Sequence, residues 1–203
     1  MPPRLSTANP FSSSQIRPGA VAFLFEPGES IESCLARWER NGHWGQIRGP
    51  HGSGKSTLLA ALLPKLREQG WRVEHLCLHQ GQRRLPVGWP PHAGVNARTV
   101  LVIDGLEQLA WWRRGRLKRL CRQRGWGLLA TTHRNLGLPD LYVTRPTVEL
   151  AQRVAARLLE GWPALIAPDD VERCFTAHAG DMRETFFALY DLFEARRKST
   201  SAS

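Results

Sequence analysis

The pattern of hydrophobic and polar positions divides the first half of the chain into alternating strands and helices. Leucines recur at helical spacing through residues 56–69, and Gly70 follows where a C-capping glycine is expected. Strands are predicted on either side of this helix, at 45–48 and 71–78. Residues 99–103 are continuously apolar and β-branched, which is typical of a strand buried on both faces of a parallel sheet.

The second half continues the alternation and then becomes wholly helical. A helix is predicted over 106–124, followed by a buried strand at 127–132 and a short strand at 141–143. Residues 81–96, with three prolines, are predicted to form a loop. Three further helices are predicted at 148–160, 169–177 and 182–197. This order predicts an α/β fold with three layers, in which helices flank a parallel sheet, and with a small C-terminal helical lid.

The length and the composition of the ends suggest how these elements are organised. A chain of 203 residues is long enough for one substantial core, or for one core with a small appended subdomain, and two full domains are not expected. Residues 1–18 and 198–203 are rich in small and polar residues and are predicted to be flexible tails. Between them we expect a core at 19–160 and a helical lid at 161–197.

A glycine-rich motif lies between the first predicted strand and its helix. Residues 49–56 read G-P-H-G-S-G-K-S, which fits the phosphate-loop pattern G-x-x-x-x-G-K-[ST] at every fixed position. Such glycines let successive backbone N–H groups face one anion, and the N-terminus of the helix adds positive charge. Lys55 would reach the terminal phosphates. The residues predicted to bind the nucleotide are Gly49, Pro50, His51, Gly52, Ser53, Gly54, Lys55, Ser56 and Thr57.

A second motif supplies a carboxylate at the edge of the predicted sheet. The apolar run at 99–103 ends in Asp104, which would hold the hydration shell of a magnesium ion beside the Ser56 hydroxyl. Glu107 is the candidate for orienting the water that attacks the γ-phosphate. Alternatively, Glu107 is a solvated residue in the first turn of a helix, where the helix dipole favours it. Nucleotide binding is therefore better supported by the sequence than turnover.

With these motifs the chain resembles the AAA+ and STAND branches of the P-loop ATPases, over roughly residues 20–195. The resemblance implies a three-layer P-loop NTPase fold, with ATP and Mg²⁺ as cofactors and Lys55 and Glu107 in the catalytic machinery. The strand at 127–132 is expected to lie beside the phosphate-loop strand, where Thr132 or His133 could sense the γ-phosphate. Thr132, at the end of A-T-T, looks like the residue called sensor 1. Arg183 looks like sensor 2, the lid arginine that reaches the γ-phosphate. The resemblance also implies a homo-oligomer whose neighbouring subunit supplies an arginine finger.

The chain departs from this family pattern at the second motif. AAA+ ATPases usually carry a glutamate directly after the aspartate, whereas Gly105 follows Asp104 here and the acid comes at Glu107. That spacing looks more like the NACHT group of STAND proteins, although Gln108 stands where that group often has another acid. The subfamily is therefore open. The ABC branch is excluded because the chain has no L-S-G-G-Q signature.

Two classes of function remain open. In the first, the protein is an ATPase that couples ATP binding and hydrolysis to action on a partner. In the second, it is a slow or non-hydrolysing ATP-dependent switch or adaptor. A small-molecule kinase is a third and weaker hypothesis, because the phosphate loop alone also fits that class. The chain has no N-K-x-D base-recognition motif, which favours ATP over GTP.

One segment gives the chain its basic character. The formal net charge is +10, and residues 113–124 contain seven basic residues and no acid. The predicted helix would place Leu117, Leu120 and Cys121 on the sheet and turn its arginines outward. Such a face would attract nucleic acid or an acidic protein, or it is simply a solvated surface. The sequence leaves all three interpretations of this helix face open.

Other compositional features exclude further classes. The four cysteines lie about forty residues or more apart and never form a C-x-x-C pair, so they are predicted to be ordinary buried or surface thiols. No secretory signal is recognisable, and no apolar stretch approaches the ~18 residues that a membrane span needs. We therefore expect no membrane partner, and we expect the protein to be cytoplasmic.

Overall fold

The structure is a computed structural model that describes residues 9–89 and 98–201. The chain divides into two compact units. The sheet unit comprises Phe25–Pro50 and Lys55–Thr144. The helical unit comprises the described parts of Met1–Leu24 and Arg145–Ser203, together with His51–Gly54.

The sheet unit is built on five parallel strands in the order β2-β3-β4-β1-β5. Their bounds are Trp44–Arg48 (β1), Arg72–Cys77 (β2), Thr99–Asp104 (β3), Gly127–Thr132 (β4) and Asp140–Val143 (β5). Strand β4 pairs with β1 in register from Trp44 opposite Leu128 to Arg48 opposite Thr132. The strand that follows the Asp104 strand in sequence therefore lies directly beside the phosphate-loop strand, as predicted.

Seven α-helices are described in residues 9–89 and 98–201. Their bounds are Ser13–Ile16 (α1), Ile31–Arg40 (α2), Lys55–Glu68 (α3), Trp111–Arg124 (α4), Val148–Leu158 (α5), Pro168–Ala177 (α6) and Met182–Ser201 (α7). None of them combines the length and the apolar character that crossing a membrane requires.

Helices cover both faces of the sheet. Successive residues of a strand point to opposite faces, so the two sides of β3 meet different helices. Leu101 and Ile103 pack in one core with Leu117 and Cys121 of α4. On the other face, Trp38 of α2 and Val100 both lie next to Gly127 of β4, and the buried leucines of α3 contribute to the same layer. The predicted three-layer α/β fold with a parallel sheet is confirmed.

The helical unit has a core of its own. Phe11 is fully buried, and its ring stacks on that of Phe186 in α7 at a centroid distance of 6.2 Å. The side chain of Asn9 donates hydrogen bonds to the Tyr190 carbonyl oxygen and to Glu194. Helices α5, α6 and α7 pack against one another in sequence order. The sequence-based division into core, lid and tails stays a prediction.

The predicted helix over 106–124 is wrong in one respect, because it is interrupted near its start. A short 3-10 turn, Leu106–Gln108, follows β3, and Leu109 and Ala110 then adopt extended backbone before α4 begins. The break places Leu106 and Leu109 in the core, where both are buried. Helix α2 has no counterpart among the predicted elements. The predicted loop contains no helix or strand at 81–89, and the rest of it lies outside the described residues.

Candidate functional site

The glycine-rich segment lies between β1 and α3, in the strand–loop–helix context that the sequence predicts. The Gly49 N–H group donates a 3.1 Å hydrogen bond to the Thr132 carbonyl oxygen, so the loop leaves the sheet against the end of β4. Gly52 and Gly54 have φ angles of 61° and 87°, which side-chain-bearing residues rarely adopt. The turn therefore needs glycine at both positions.

The tip of this loop, residues 51–54, belongs to the helical unit. A Cβ atom added at Gly52 would lie 1.8 Å from Oδ1 of Asp181, so a side chain at this position would collide with that carboxylate. The same oxygen accepts hydrogen bonds from the N–H groups of Arg183 and Glu184, at 2.9 and 3.2 Å. Asp181 thus caps the start of α7 and contacts the loop tip.

Lys55 opens α3 and is buried, with 8% of its surface exposed. Its ammonium group donates to the carbonyl oxygens of Gly49, at 2.9 Å, and of Pro50. Its Nζ atom also lies 3.3 Å from Nδ1 of His133. The charge of Lys55 is therefore held at the base of the glycine-rich loop.

His133 links Lys55 to the carboxylate of Glu107. Nε2 of His133 lies 3.1 Å from Oε1 of Glu107. The other carboxylate oxygen of Glu107, Oε2, is buried and has no hydrogen-bond partner among the described residues. A buried polar atom without a partner costs on the order of 1–3 kcal/mol, so it marks either a functional position or a place for water.

Asp104 ends β3 at the carboxyl edge of the sheet and is fixed by its neighbour on β4. Its Oδ1 accepts a hydrogen bond from the Thr131 hydroxyl, whose oxygen in turn accepts from the Gly105 N–H at 2.9 Å. One carboxylate and the Ser56 hydroxyl suit Mg²⁺, which keeps several waters and substrate phosphates as ligands. Within the described ranges, no group of three or more His, Cys, Asp or Glu side chains is placed to hold a metal ion.

The remaining predicted site residues occupy different settings. The Thr132 hydroxyl is engaged in its own turn, where it donates to the Arg134 carbonyl oxygen at 2.8 Å. Arg183 is exposed at the start of α7, with its guanidinium 5.6 Å from the ring centroid of Phe187. Ser56 and Thr57 are half-buried in the first turn of α3. The roles assigned to these residues stay predictions.

Two residues of this arrangement have contacts that the sequence did not predict. Thr131 holds Asp104, and His133 joins Lys55 to Glu107. The signal for both was the polar run T-T-H at the end of a buried strand beside β1. Strand alternation places Thr131 and Thr132 on opposite faces, so the contact with Asp104 belongs to the first of them.

Helix α4 carries the basic segment, and not all of its charges face outward. Leu117 and Cys121 are buried against the sheet, as predicted. Arg114 donates to the carbonyl oxygens of Glu107 and Leu109, at 3.2 and 3.0 Å. Lys118 donates to the Leu136 carbonyl oxygen at 2.6 Å. Burial lowers the pKa of both Arg114 and Lys118 from its usual value.

The other basic residues of α4 lie at the surface. Three guanidinium groups rest over tryptophan rings, at 4.2 to 4.9 Å from the ring centroid. These pairs are Arg113 with Trp112, Arg122 with Trp44 and Arg124 with Trp126. Arg116 and Arg119 are exposed and make no hydrogen bond or ion pair within the described part of the chain.

No protein-family model matches the chain, and no curated protein matches it. A solved structure of C. elegans PCH-2 is similar to 84% of this chain, over 67% of its own length, with 11% sequence identity and a TM-score of 0.39. A likeness this distant assigns neither family nor function.

Proposed function

We propose that this protein binds ATP with Mg²⁺ and is a P-loop ATPase of AAA+/STAND type that couples nucleotide binding and hydrolysis to action on a partner. One observation carries the proposal. A complete phosphate-loop sequence joins β1 to α3, and Asp104 ends a second strand of the same parallel sheet.

The residues of the loop have defined roles in this proposal. The backbone N–H groups of residues 49–54 and the start of α3 surround the phosphates. The ammonium of Lys55, which already lies at the base of the loop, exchanges its carbonyl partners for the terminal phosphates. Ser56 and Asp104 hold Mg²⁺ and its waters, and Thr131 orients the Asp104 carboxylate.

Glu107 positions the attacking water. Its Oε2 atom is buried and unpaired within the described residues, which leaves one carboxylate oxygen able to accept a proton or a hydrogen bond from water. His133 holds the other oxygen and so limits the rotation of the side chain. A negative charge placed beside Mg²⁺-bound phosphates is the usual means of orienting a nucleophile for phosphoryl transfer.

Thr132 and Arg183 complete the proposal as the two sensors. In the helical unit, Asp181 contacts Gly52 and precedes Arg183 by two residues. This supports α7 as the lid helix whose arginine reaches the γ-phosphate. The proposal also includes assembly into a homo-oligomer, in which a neighbouring subunit supplies an arginine finger.

A switch that binds ATP and hydrolyses it slowly or not at all is the second candidate. It is favoured by the contact between Glu107 and His133, because a carboxylate held by an imidazole is less available to water. In that case the bound nucleotide would set only the conformation of the protein.

Steady-state hydrolysis of ATP and GTP with Mg²⁺, at low and high protein concentration, distinguishes the two candidates. An assembling ATPase is expected to hydrolyse more ATP per protein chain as the protein concentration rises. A switch is expected to bind ATP tightly with negligible turnover at every concentration. Glu107→Gln should bind ATP normally but hydrolyse it about 10²–10⁴-fold more slowly. Glu39→Gln, which changes an exposed glutamate of α2, is the control. Normal turnover by Glu107→Gln would remove Glu107 from the catalytic role.

A further inference from the structure

A groove lies beside α4 on the surface of the sheet unit. One wall is formed by the 81–89 loop, through Leu85, Pro86 and Trp89, and the other by α4. Its volume is about 560 Å³, which is within the range of sites that hold small organic molecules. The groove lies outside the set of residues assigned to the nucleotide, and nothing in the proposed function uses it.

The lining is basic and contains no acid. Arg113, Arg116 and Arg119 lie along the α4 wall. They are three residues apart, so successive arginines are displaced by about 4.5 Å along the helix axis. The chain has no Asp or Glu between Gln108 and Pro139 or between His75 and Ile103, so no carboxylate of either wall competes for these guanidinium groups. A polyanion fits this charge pattern.

Two tryptophan rings flank the arginines. Trp89 packs against the core of the sheet unit, which fixes its position. Trp112 lines the opposite wall with 41% of its surface exposed, and the guanidinium of Arg113 lies 4.2 Å from its ring centroid. An exposed ring at Trp112 and a partly exposed ring at Trp89, close to the exposed Arg116 and Arg119, provide flat surfaces for stacking and charges for phosphates at the same place.

We propose that this groove binds single-stranded nucleic acid, with bases stacking on Trp112 and Trp89 and phosphates contacting Arg116 and Arg119. An unpaired base can enter a cavity of this size, whereas a double helix has its bases stacked internally and offers only its backbone. An acidic protein segment would satisfy the arginines but would leave the ring faces without planar partners. The combination of rings and charges therefore favours a single strand.

The first test is the salt dependence of binding to a labelled oligothymidylate, followed by fluorescence anisotropy. The arginine pair is removed in Arg116→Gln/Arg119→Gln. The matched control is Arg40→Gln/Arg67→Gln, which removes two exposed arginines of α2 and α3 that do not line the groove. Each phosphate contact with a single strand contributes about 0.7 to the slope of log K against log salt, so the groove variant should lose about 1.4 of that slope. The control should lose almost none.

The second test concerns stacking. Trp112→Ala should weaken oligothymidylate binding by about 5- to 150-fold, and Trp112→Phe, which retains an aromatic ring, should restore most of the affinity. The control is Trp111→Ala. Trp111 is the neighbouring tryptophan, with 78% of its surface exposed, but it does not line the groove. Circular dichroism verifies that each variant is folded.

Three results would overturn the proposal. The first is equal loss of slope in the two arginine variants, and the second is equal affinity of Trp112→Ala and the wild-type protein. The third is competition by duplex DNA or polyglutamate as effective as that of unlabelled oligothymidylate, which would indicate a surface that recognises charge alone. Binding is measured without nucleotide, and Lys55→Ala is expected to bind the oligonucleotide normally. Failure here is thus distinguishable from failure of the ATP site.

Discussion

At the scale of single residues, the geometry of Gly105 accounts for the unusual spacing of the acidic motif. Its φ angle is 84°, and an added Cβ atom would lie 2.9 Å from the Leu78 carbonyl oxygen. A glutamate directly after Asp104 would therefore have a strained backbone, and its Cβ atom would collide with the Leu78 carbonyl oxygen, just after the end of β2. The 3-10 turn that follows brings Glu107 back to the edge of the sheet, beside His133.

This geometry predicts a stability difference between two glycine variants. Gly105→Ala should lower the free energy of unfolding by about 2–4 kcal/mol, because backbone strain and the Leu78 contact act together. Gly125→Ala is the matched control, since Gly125 has a φ angle of 63° but open space around its Cβ position. It should cost about 1 kcal/mol. If urea denaturation gave the same loss of unfolding free energy for both variants, the Leu78 contact would contribute nothing.

His133 is expected to act as a positioning residue between Lys55 and Glu107. His133→Ala should reduce kcat for ATP about 10- to 100-fold, while KM changes little, because Glu107 loses the group that orients its carboxylate. His133→Asn, which keeps a hydrogen-bond donor, should recover part of the rate. A change confined to KM would instead assign His133 to nucleotide binding.

At the scale of elements, α6 and α7 are joined by ion pairs to one buried carboxylate. Asp170 is almost fully buried, accepts a hydrogen bond from the Ala167 N–H and pairs with Arg196 of α7 and with Arg173. The hydrogen bonds from Arg196 lower the pKa of the Asp170 carboxyl from 3.8 to about 2. Because folding favours the ionised form, this stabilisation is complete above about pH 4 and is lost as the pH falls toward 2.

Asp170→Asn is therefore expected to destabilise the protein at neutral pH and to remove this acid sensitivity. The loss should be about 1–2 kcal/mol, reduced by solvent screening at the exposed arginines, and should lower Tm by about 2–8 °C. Asp169→Asn changes the exposed neighbour and is the control. Thermal unfolding at pH 7 and pH 3 measures the effect. A Tm difference between Asp170→Asn and wild type that is equally large at both pH values would contradict the assignment.

The elements that the sequence predicts well are those whose burial leaves a periodic pattern. The leucines of α3 and the apolar runs of β3 and β4 are examples, since each is buried along its predicted face or faces. The break before α4 was not predictable in this way, because Leu106 and Leu109 keep helical spacing although the backbone between them and α4 is extended. Tertiary contacts in the core, rather than local preference, determine that break.

At the scale of the whole molecule, the phosphate-loop motif indicated the position of the site, but its inner contacts required the structure. The motif spacing alone predicts Lys55, Ser56 and Asp104 as residues of this candidate site. The contacts of Thr131 with Asp104 and of His133 with Glu107 join residues that are 26 or 27 positions apart in the chain and arise from the pairing of β3 with β4. No local pattern encodes which neighbouring strand supplies these partners.

The basic residues of α4, which form one continuous segment in the sequence, fall into two groups in the structure. Arg114 and Lys118 bind backbone carbonyl oxygens and so serve the fold. Arg116 and Arg119 are exposed and line the groove, so they are the charges that the proposed single-strand binding would use. Arg114 in addition joins α4 to the Glu107 carbonyl, so the basic helix and the turn that carries the proposed water-orienting carboxylate are physically connected.

Equilibrium binding of ATP with Mg²⁺, measured by titration calorimetry on the wild-type protein and on Lys55→Ala, tests the central claim most directly. Lys65→Ala, which removes a partly exposed lysine from the same helix, is the control. The account predicts saturable binding of one ATP by the wild-type and Lys65→Ala proteins and none by Lys55→Ala. Absence of binding by the wild-type protein, or binding that Lys55→Ala retains in full, would contradict it.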